Sequence, residues 1–208
     1  MLLIATDKKR TVVMVCLLDS ARTSADTGLV TTSADANTCR LPNLSLRLAE
    51  ATRKVEEALD DSPALVRLAY AFNGFYVARV VSVLLDAEAV PQRDVFALAE
   101  QWCTQALDVL YEVVESRLVR RYCPTHAAGE ALLRDITTAG QFELNAASDI
   151  DIDRIGDEMI GLADALRRLL NAVAADETTL PHLRGAARAV VPAAENIWSQ
   201  YGGDGGGW

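Results

Sequence analysis

The residues LAYAFNGFYVARVVSVLL, Leu68 to Leu85, are the most apolar segment of this 208-residue chain, and Arg79 is their only charge. A helix that is hydrophobic on every side is buried, either in a protein core or in a membrane. Asn73, Gly74 and Arg79 interrupt the segment, and the sequence contains no second segment like it. We therefore predict a central helix wrapped by other helices, and no membrane span.

Outward from this segment the pattern stays helical, with prolines, glycines and capping residues as punctuation. The predicted helices span residues 43–60, 63–88, 92–122, 126–147, 151–175 and 180–201. Thr179 is the expected N-cap of the last helix, and Pro181 lies in its first turn. The predicted fold class is mainly α: a compact bundle of about six helices around the hydrophobic central helix.

The two ends of the chain differ from this helical part. The run TVVMVCLL, residues 11–18, is short and β-branched, which predicts a short N-terminal β-strand arm or hairpin. The predicted division is an arm and polar linker over 1–40, a helical domain over 41–201 and a glycine-rich tail over 202–208. Such extendable ends favour docking on other chains, with Val13, Val15 and Trp208 as candidate partner-binding residues.

Composition limits the function classes. A formal charge of -9 argues against a DNA-binding module with a wholly basic surface, and any nucleic-acid contact must depend on a local patch. The four cysteines stand singly, without zinc-ligand spacing, which predicts buried free thiols in a cytoplasmic protein without a cofactor. The segment KKRTVVMVCLLDSA imitates a secretory signal, but the apolar residues MLLIA precede its basic cluster and Asp19 directly follows its apolar run.

The third predicted helix carries a heptad-like apolar seam with acidic and amide residues beside it. The seam residues are Val95, Ala99, Trp102, Ala106, Val109 and Val113. We expect the seam to pack against a helix, either of this chain or of another subunit.

Six carboxylates crowd the segment SDIDIDRIGDEMIGLADALRRLL, Ser148 to Leu170, and raise the question of a metal site. At about 100° per residue, Asp153, Asp157 and Asp164 fall opposite an apolar face. The predicted members of that face are Ile155, Met159, Leu162, Leu166, Leu169 and Leu170. The acids should therefore face water, with Asp164 and Arg168 forming a surface pair four residues apart, and we predict no metal site.

The segment DRIGDEMIGLADAL, with EVVE at Glu112 to Glu115, nevertheless resembles the paired acidic motifs of MazG-like nucleotide pyrophosphohydrolases. The resemblance implies an all-α, magnesium-dependent enzyme with Glu112, Glu115, Asp157 and Glu158 at the metal. Two departures stand against it: Arg154 occupies the place of a glutamate of the second motif, and the two motifs lie far apart along the chain. This enzyme is the alternative function.

Basic residues cluster in SRLVRRYC, where Arg117, Arg120 and Arg121 precede His126 and Arg134. Cations at the end of a helix complement its dipole, which is the purely structural interpretation. The functional interpretation is a nucleic-acid or phosphate clamp made by Arg117, Arg120, Arg121 and Arg134, since guanidinium groups bind phosphate bidentately.

Missing catalytic motifs favour a non-catalytic interaction or scaffold subunit. His126 and His182 are the only histidines, both expected at capping or surface positions, and no Gly-x-Ser-x-Gly elbow occurs. The predicted function is a helical subunit of a multi-protein assembly, with protein partners or self-association. A variant is a small subunit of a ribonucleoprotein, similar in architecture to the small subunits of CRISPR effectors.

Overall fold

The computed structural model describes residues 44–87, 93–114, 116–123, 126 and 152–202. These residues form six helices and no strand. The helices are α1 (Leu44–Asp61), α2 (Ala64–Ala87), α3 (Arg93–Val113), α4 (Ser116–Tyr122), α5 (Ile152–Ala175) and α6 (Pro181–Gln200). The mainly α fold class is thereby confirmed, whereas the predicted N-terminal β-strand arm lies outside the described residues.

Helix α2 holds the central position that its composition predicts, because it contacts each of the other five described helices. Its neighbours α1, α3 and α5 run antiparallel to it. Phe72, Phe75 and Leu85 of α2 are fully buried. By length and composition Ala64–Asp86 would be able to cross a membrane, but most of it is buried inside the bundle, as expected for a core helix.

At Gly74 the backbone of α2 lies close to side chains of two other helices. A Cβ atom added there would lie 3.0 Å from Leu166 Cδ2 of α5 and 3.4 Å from Val55 Cγ2 of α1. Glycine therefore lets α2 approach two helices at once.

Helix α5 confirms the predicted orientation of its two faces. All six residues of the predicted apolar face are buried, namely Ile155, Met159, Leu162, Leu166, Leu169 and Leu170. Asp153 and Asp157 are exposed and Asp164 is half-buried. Asp164 Oδ2 lies 3.0 Å from Arg168 Nε, which confirms the predicted pair.

The prediction of one continuous helix over 92–122 is wrong. Helix α3 ends at Val113, and a separate helix α4 begins at Ser116. The β-branched Val113 and Val114 and the nearby Ser116 make a weak helical segment, because β-branched side chains are restricted and serine competes for backbone hydrogen bonds. The break lets α4 turn and pack on α2.

The apolar seam of α3 is also displaced from its prediction. Phe96, Ala99, Cys103, Ala106 and Leu110 are fully buried, and two of them, Ala99 and Ala106, belong to the predicted seam. The other four seam residues, Val95, Trp102, Val109 and Val113, are only half-buried at the edge of the core. The α-helical period of 3.6 turns the larger side chains Phe96 and Leu110 inward, and a strict heptad frame does not follow that rotation.

The start of α6 differs from its prediction by one residue. Leu180 is the N-cap residue without a side-chain hydrogen bond, and Pro181 follows in the first turn. Thr179 does not cap the helix, because its hydroxyl donates to Asp176 Oδ2 at 2.9 Å. The Asp176 carboxylate also accepts hydrogen bonds from the backbone N–H and the hydroxyl of Thr178.

The C-terminal end of α6 is anchored by Tyr201, whose side chain is 1% exposed. Its ring centroid lies 6.1 Å from that of Phe96 in α3. Burial raises the pKa of its phenol, and Ser82 of α2, itself fully buried, is a polar neighbour. Tyr201 therefore joins three helices at one end of the bundle.

Candidate functional site

The basic candidate site lies on α4, which packs across α2. Arg120 and Arg121 occupy the last turn of this short helix, and both are exposed. Neither forms an ion pair with a carboxylate of the described residues. Arg117 belongs to the same helix, but its side chain is not among those described, and Arg134 lies outside the described residues.

Aromatic rings hold this end of α4 in place. The rings of Tyr122 and Tyr70 of α2 lie 4.7 Å apart, tilted by 54°. The Arg121 guanidinium carbon lies 5.6 Å from the centroid of the Tyr122 ring, within the range of a cation–π contact. Tyr122 is itself half-buried against the core. The contact between the two tyrosine rings therefore fixes the backbone that carries Arg120 and Arg121.

A second aromatic cluster surrounds His126. Its ring centroid lies 5.2 Å from Phe72, 5.0 Å from Tyr76 and 6.2 Å from Tyr111. The Tyr76 hydroxyl donates to the His126 carbonyl at 3.3 Å. Tyr111, at 54% exposure, leaves one side of its ring open to solvent.

The sequence interpretation missed this role of His126, which was expected at a capping or surface position. The sequence did contain a signal for this role, because aromatic rings clustered on one helix need ring partners from elsewhere in the fold. The four aromatic residues of the central helix are Tyr70, Phe72, Phe75 and Tyr76. His182, in contrast, is exposed as expected.

The chemistry of α4 and its surroundings suits an anionic ligand. Exposed arginines bind phosphate through paired N–H donors, and exposed tyrosine rings accept stacked bases. Two guanidinium groups on a fixed helical turn supply charge in a protein that is acidic as a whole.

The two adjacent arginines of α5, Arg167 and Arg168, have partners within the bundle. Arg168 binds Glu56 of α1 at 2.8 Å and Asp164 at 3.0 Å, and the first of these contacts raises the pKa of Arg168. Arg167 binds Asp164 at 2.7 Å and lies 5.3 Å from the Trp198 ring. These arginines connect α5 to its neighbours and do not extend the patch on α4.

The acidic alternative site is not assembled among the described residues. Glu112 and Asp157 are exposed, on α3 and α5. Helix α3 packs extensively only on α2 and α6, so these two carboxylates belong to helices without a common interface. Glu158 is half-buried, and Glu115 lies outside the described residues. No group of three or more histidine, cysteine or acidic side chains that could hold a metal ion occurs in the described part of the chain.

The cysteines of the described helices are buried thiols. Cys103 and Cys123 are both free and buried, as the sequence predicts. Desolvation and the nearby Glu100 carboxylate raise the pKa of Cys103. A thiol in such surroundings is a poor nucleophile, so Cys103 is not suited to covalent catalysis.

The candidate partner-binding residues Val13, Val15 and Trp208 all lie outside the described residues. No protein-family model, curated protein or solved structure gives a significant match to this chain.

Proposed function

We propose that the protein is a non-catalytic α-helical interaction subunit of a cytoplasmic multi-protein assembly, which contacts nucleic acid through Arg120 and Arg121. The observation that supports this proposal is the pair of exposed arginines on α4, without a described carboxylate partner and braced by the tilted ring contact between Tyr70 and Tyr122. The small helical subunits of ribonucleoproteins are the architectural parallel.

Because the protein is negatively charged as a whole, the position of these two arginines bears directly on nucleic-acid binding. A protein with a net charge of -9 repels nucleic acid at long range, so binding requires a local cationic surface. Elsewhere on the described helices, several basic side chains are neutralised by ion pairs, such as Lys54 with Glu50 at 3.0 Å. The α4 arginines are exposed and have no carboxylate partner among the described residues, so both are available to meet phosphate.

Fluorescence anisotropy with labelled single-stranded RNA, single-stranded DNA and duplex DNA, over a range of salt, tests the contact. We expect the double variant Arg120→Glu/Arg121→Glu to bind at least tenfold more weakly. The salt dependence of its log affinity should also become shallower, by a slope of about 1.4 for two phosphate contacts on a single strand.

The matched control is Arg53→Glu/Lys54→Glu on α1, which makes the same change of charge at an exposed surface where Arg53 pairs with Glu57. The control should bind nearly as well as the wild type. Equal binding losses in the two double variants would mean that net charge alone governs binding, and would reject the α4 contact.

Light-scattering chromatography at low and high salt, with absorbance at 260 and 280 nm, tests the assembly. We expect a species larger than a monomer, or a salt-sensitive excess of absorbance at 260 nm. Deleting residues 1–40 and 202–208 should reduce association with partners. A strict monomer whose associations survive both deletions would contradict the proposal.

A further inference from the structure

Tyr111, in the last turn of α3, combines an exposed ring with a fixed position. It is 54% exposed, and it is the one aromatic residue among the large apolar side chains that are exposed in the described part of the chain. Its ring centroid lies 6.2 Å from that of the buried Phe72 and 6.2 Å from that of His126, whose ring is inclined to it by 28°. Phe72 and His126 therefore hold the ring in place while the rest of its surface faces water.

A flat ring that is both fixed and exposed suits stacking. Because Phe72 and His126 already restrict the rotation of the Tyr111 side chain, little conformational entropy is lost when a flat ligand covers the exposed part of the ring. Nucleobases are such ligands, since every base has a π-face that stacks on aromatic side chains. Tyr111 therefore has the properties of a stacking platform for a base.

The charges beside Tyr111 favour a neutral group at the ring. Asp108 and Glu112 are exposed on the same helix, three residues before Tyr111 and one residue after it. At about 100° per residue, Asp108 lies about 60° from Tyr111 around the helix, on the neighbouring turn. These carboxylates repel a phosphate beside the ring, whereas a base carries no formal charge. The phosphates of a strand that stacks on Tyr111 must therefore be bound elsewhere.

The arginines of α4 lie within reach of the same strand. Val114 continues the backbone hydrogen bonds of α3, since its N–H donates at 2.8 Å to the carbonyl four residues earlier, and α4 begins at Ser116. The length of the chain between them limits the distance between the Cα atoms of Tyr111 and Arg120 to about 20 Å. A stacked strand rises about 3.4 Å per nucleotide, so about six nucleotides cover that distance.

We propose that Tyr111 stacks on a base of single-stranded nucleic acid whose phosphates are bound by Arg120 and Arg121. This inference rests on the proposed function and names its substrate class. A duplex offers phosphates to the arginines, but its bases are paired and stacked on one another, so they leave no face for the tyrosine ring. A single strand offers both groups.

Three labelled DNA probes of equal length separate the bases from the phosphates. They are a thymidine strand, a single strand of abasic nucleotides and a duplex. Anisotropy titrations with the full chain should show that the thymidine strand binds more tightly than the duplex. It should also bind at least about fivefold more tightly than the abasic strand, the lower end of the effect of one base stacked on an aromatic side chain. Equal affinity for the two single strands would overturn the inference, because phosphates alone would then account for binding.

Tyr111→Phe and Tyr111→Leu form a matched pair of variants, because phenylalanine keeps the flat ring and leucine keeps only an apolar side chain. The phenylalanine variant should retain the preference for the thymidine strand, and the leucine variant should bind both single strands with similar affinity. Neither substitution changes the charge, so the salt dependence of binding should stay as in the wild type. A preference that survives in the leucine variant would overturn the role of Tyr111. Circular dichroism and thermal midpoints confirm that both variants are folded.

The variant Arg120→Glu/Arg121→Glu distinguishes this inference from the proposed function. It should weaken binding of the thymidine and abasic strands alike, because both strands carry the same phosphates. If the wild type binds these two strands equally and the double variant binds neither, the arginine contact stands and the role of Tyr111 is rejected. If the wild type binds no probe, the proposed nucleic-acid contact is rejected, and the stacking inference is rejected with it.

Discussion

Gly74 lies where α2 meets both α1 and α5, and the absence of a side chain there sets the distance between three helices. A Cβ atom would approach Leu166 Cδ2 to 3.0 Å and Leu162 Cδ1 to 3.5 Å. The first distance is shorter than ordinary van der Waals contact, although the end of a leucine side chain can shift. Gly161 and Gly185 are also helical, but neither has a neighbour within 4 Å of an added Cβ.

Alanine substitutions at these three helical glycines gain the same helix propensity, so differences in their stability report packing around the added methyl group. Gly161→Ala and Gly185→Ala should each stabilise the fold by about 0.5–1 kcal/mol, because alanine restricts the unfolded chain and favours the helix. Gly74→Ala gains the same propensity but adds a methyl group to a filled site, where overpacking costs about 1–3 kcal/mol. It should be less stable than either control by at least about 1 kcal/mol in chemical denaturation.

Equal stabilisation by all three alanine substitutions would mean that the contact between α2 and α5 has room for a methyl group. Gly74→Val is a second probe of the same contact, because its larger side chain cannot fit by a small shift of Leu166. Circular dichroism before unfolding separates a change of stability from a change of helical content.

At the scale of elements, four of the predicted helices agree with the structure to within one residue at each end. These are α1, α2, α5 and α6. Their ends follow from local chemistry, such as Pro181 in the first turn of α6. The predicted helix over 126–147 lies outside the described residues, apart from His126.

The break between α3 and α4 was not predicted, because no proline or glycine marks it. Packing adds to the weak local helical preference there: Val114 is buried at the end of α3 and Val119 of α4 is buried against the core. A continuous helix would carry Val119 away from α2, so packing outweighs the modest helical preference of the intervening residues. For the same reason the arginine cluster was predicted from sequence, but its aromatic support was not, since Tyr70 lies about fifty residues earlier in the chain.

The turn between α5 and α6 depends on one carboxylate. Asp176 accepts two hydrogen bonds from Thr178, at 2.9 Å and 2.6 Å, and one from the Thr179 hydroxyl. The Thr178 hydroxyl lowers the pKa of Asp176 most, followed by the Thr179 hydroxyl, and the charge of Arg67 adds to the effect. The ionised carboxylate therefore stabilises the turn.

The pH dependence of stability should report this turn. The pKa of Asp176 is lower in the folded protein than its ordinary value of 3.8, so the unfolded chain binds the proton more tightly. The stabilisation is fully present above pH 3.8 and is lost as the pH falls below this value, through the folded pKa. Asp176→Asn should lower the thermal midpoint at pH 6 and flatten its decline between about pH 4 and pH 2.

Asp157→Asn is the control for this measurement, because Asp157 is an exposed aspartate elsewhere on α5. The thermal midpoint of Asp157→Asn should decline with falling pH in the same way as that of the wild type. A wild-type decline retained in Asp176→Asn would assign the acid sensitivity to other carboxylates and contradict the role given to the turn.

At the scale of the whole molecule, the bundle is closed by side chains that join distant parts of the chain. Tyr201 is the clearest case, since it lies directly after α6 and packs against Phe96 near the start of α3. Its backbone N–H donates to the Ile197 carbonyl at 3.1 Å, which continues the last helical turn. The chain thus contributes core packing up to Tyr201.

The stabilities of two shortened chains test whether core packing extends to Tyr201. A chain that ends at Gly202 keeps the buried ring, whereas a chain that ends at Gln200 loses it and leaves a cavity beside Phe96. Removal of a large buried aromatic side chain costs about 3–5 kcal/mol, so the shorter chain should unfold at a much lower urea concentration. The chain ending at Gly202 should match the full-length protein, because it keeps every core residue that the structure describes.

Tyr201→Phe and Tyr201→Ala separate the ring from the end of the chain. The phenylalanine variant retains the packing and loses only a buried hydroxyl beside Ser82, so its stability should change by about 1 kcal/mol or less. The alanine variant should reproduce most of the loss seen on ending the chain at Gln200. If both shortened chains and both substitutions have the same urea midpoint, Tyr201 is not a closing residue, and the end of the bundle is fixed by the helices alone.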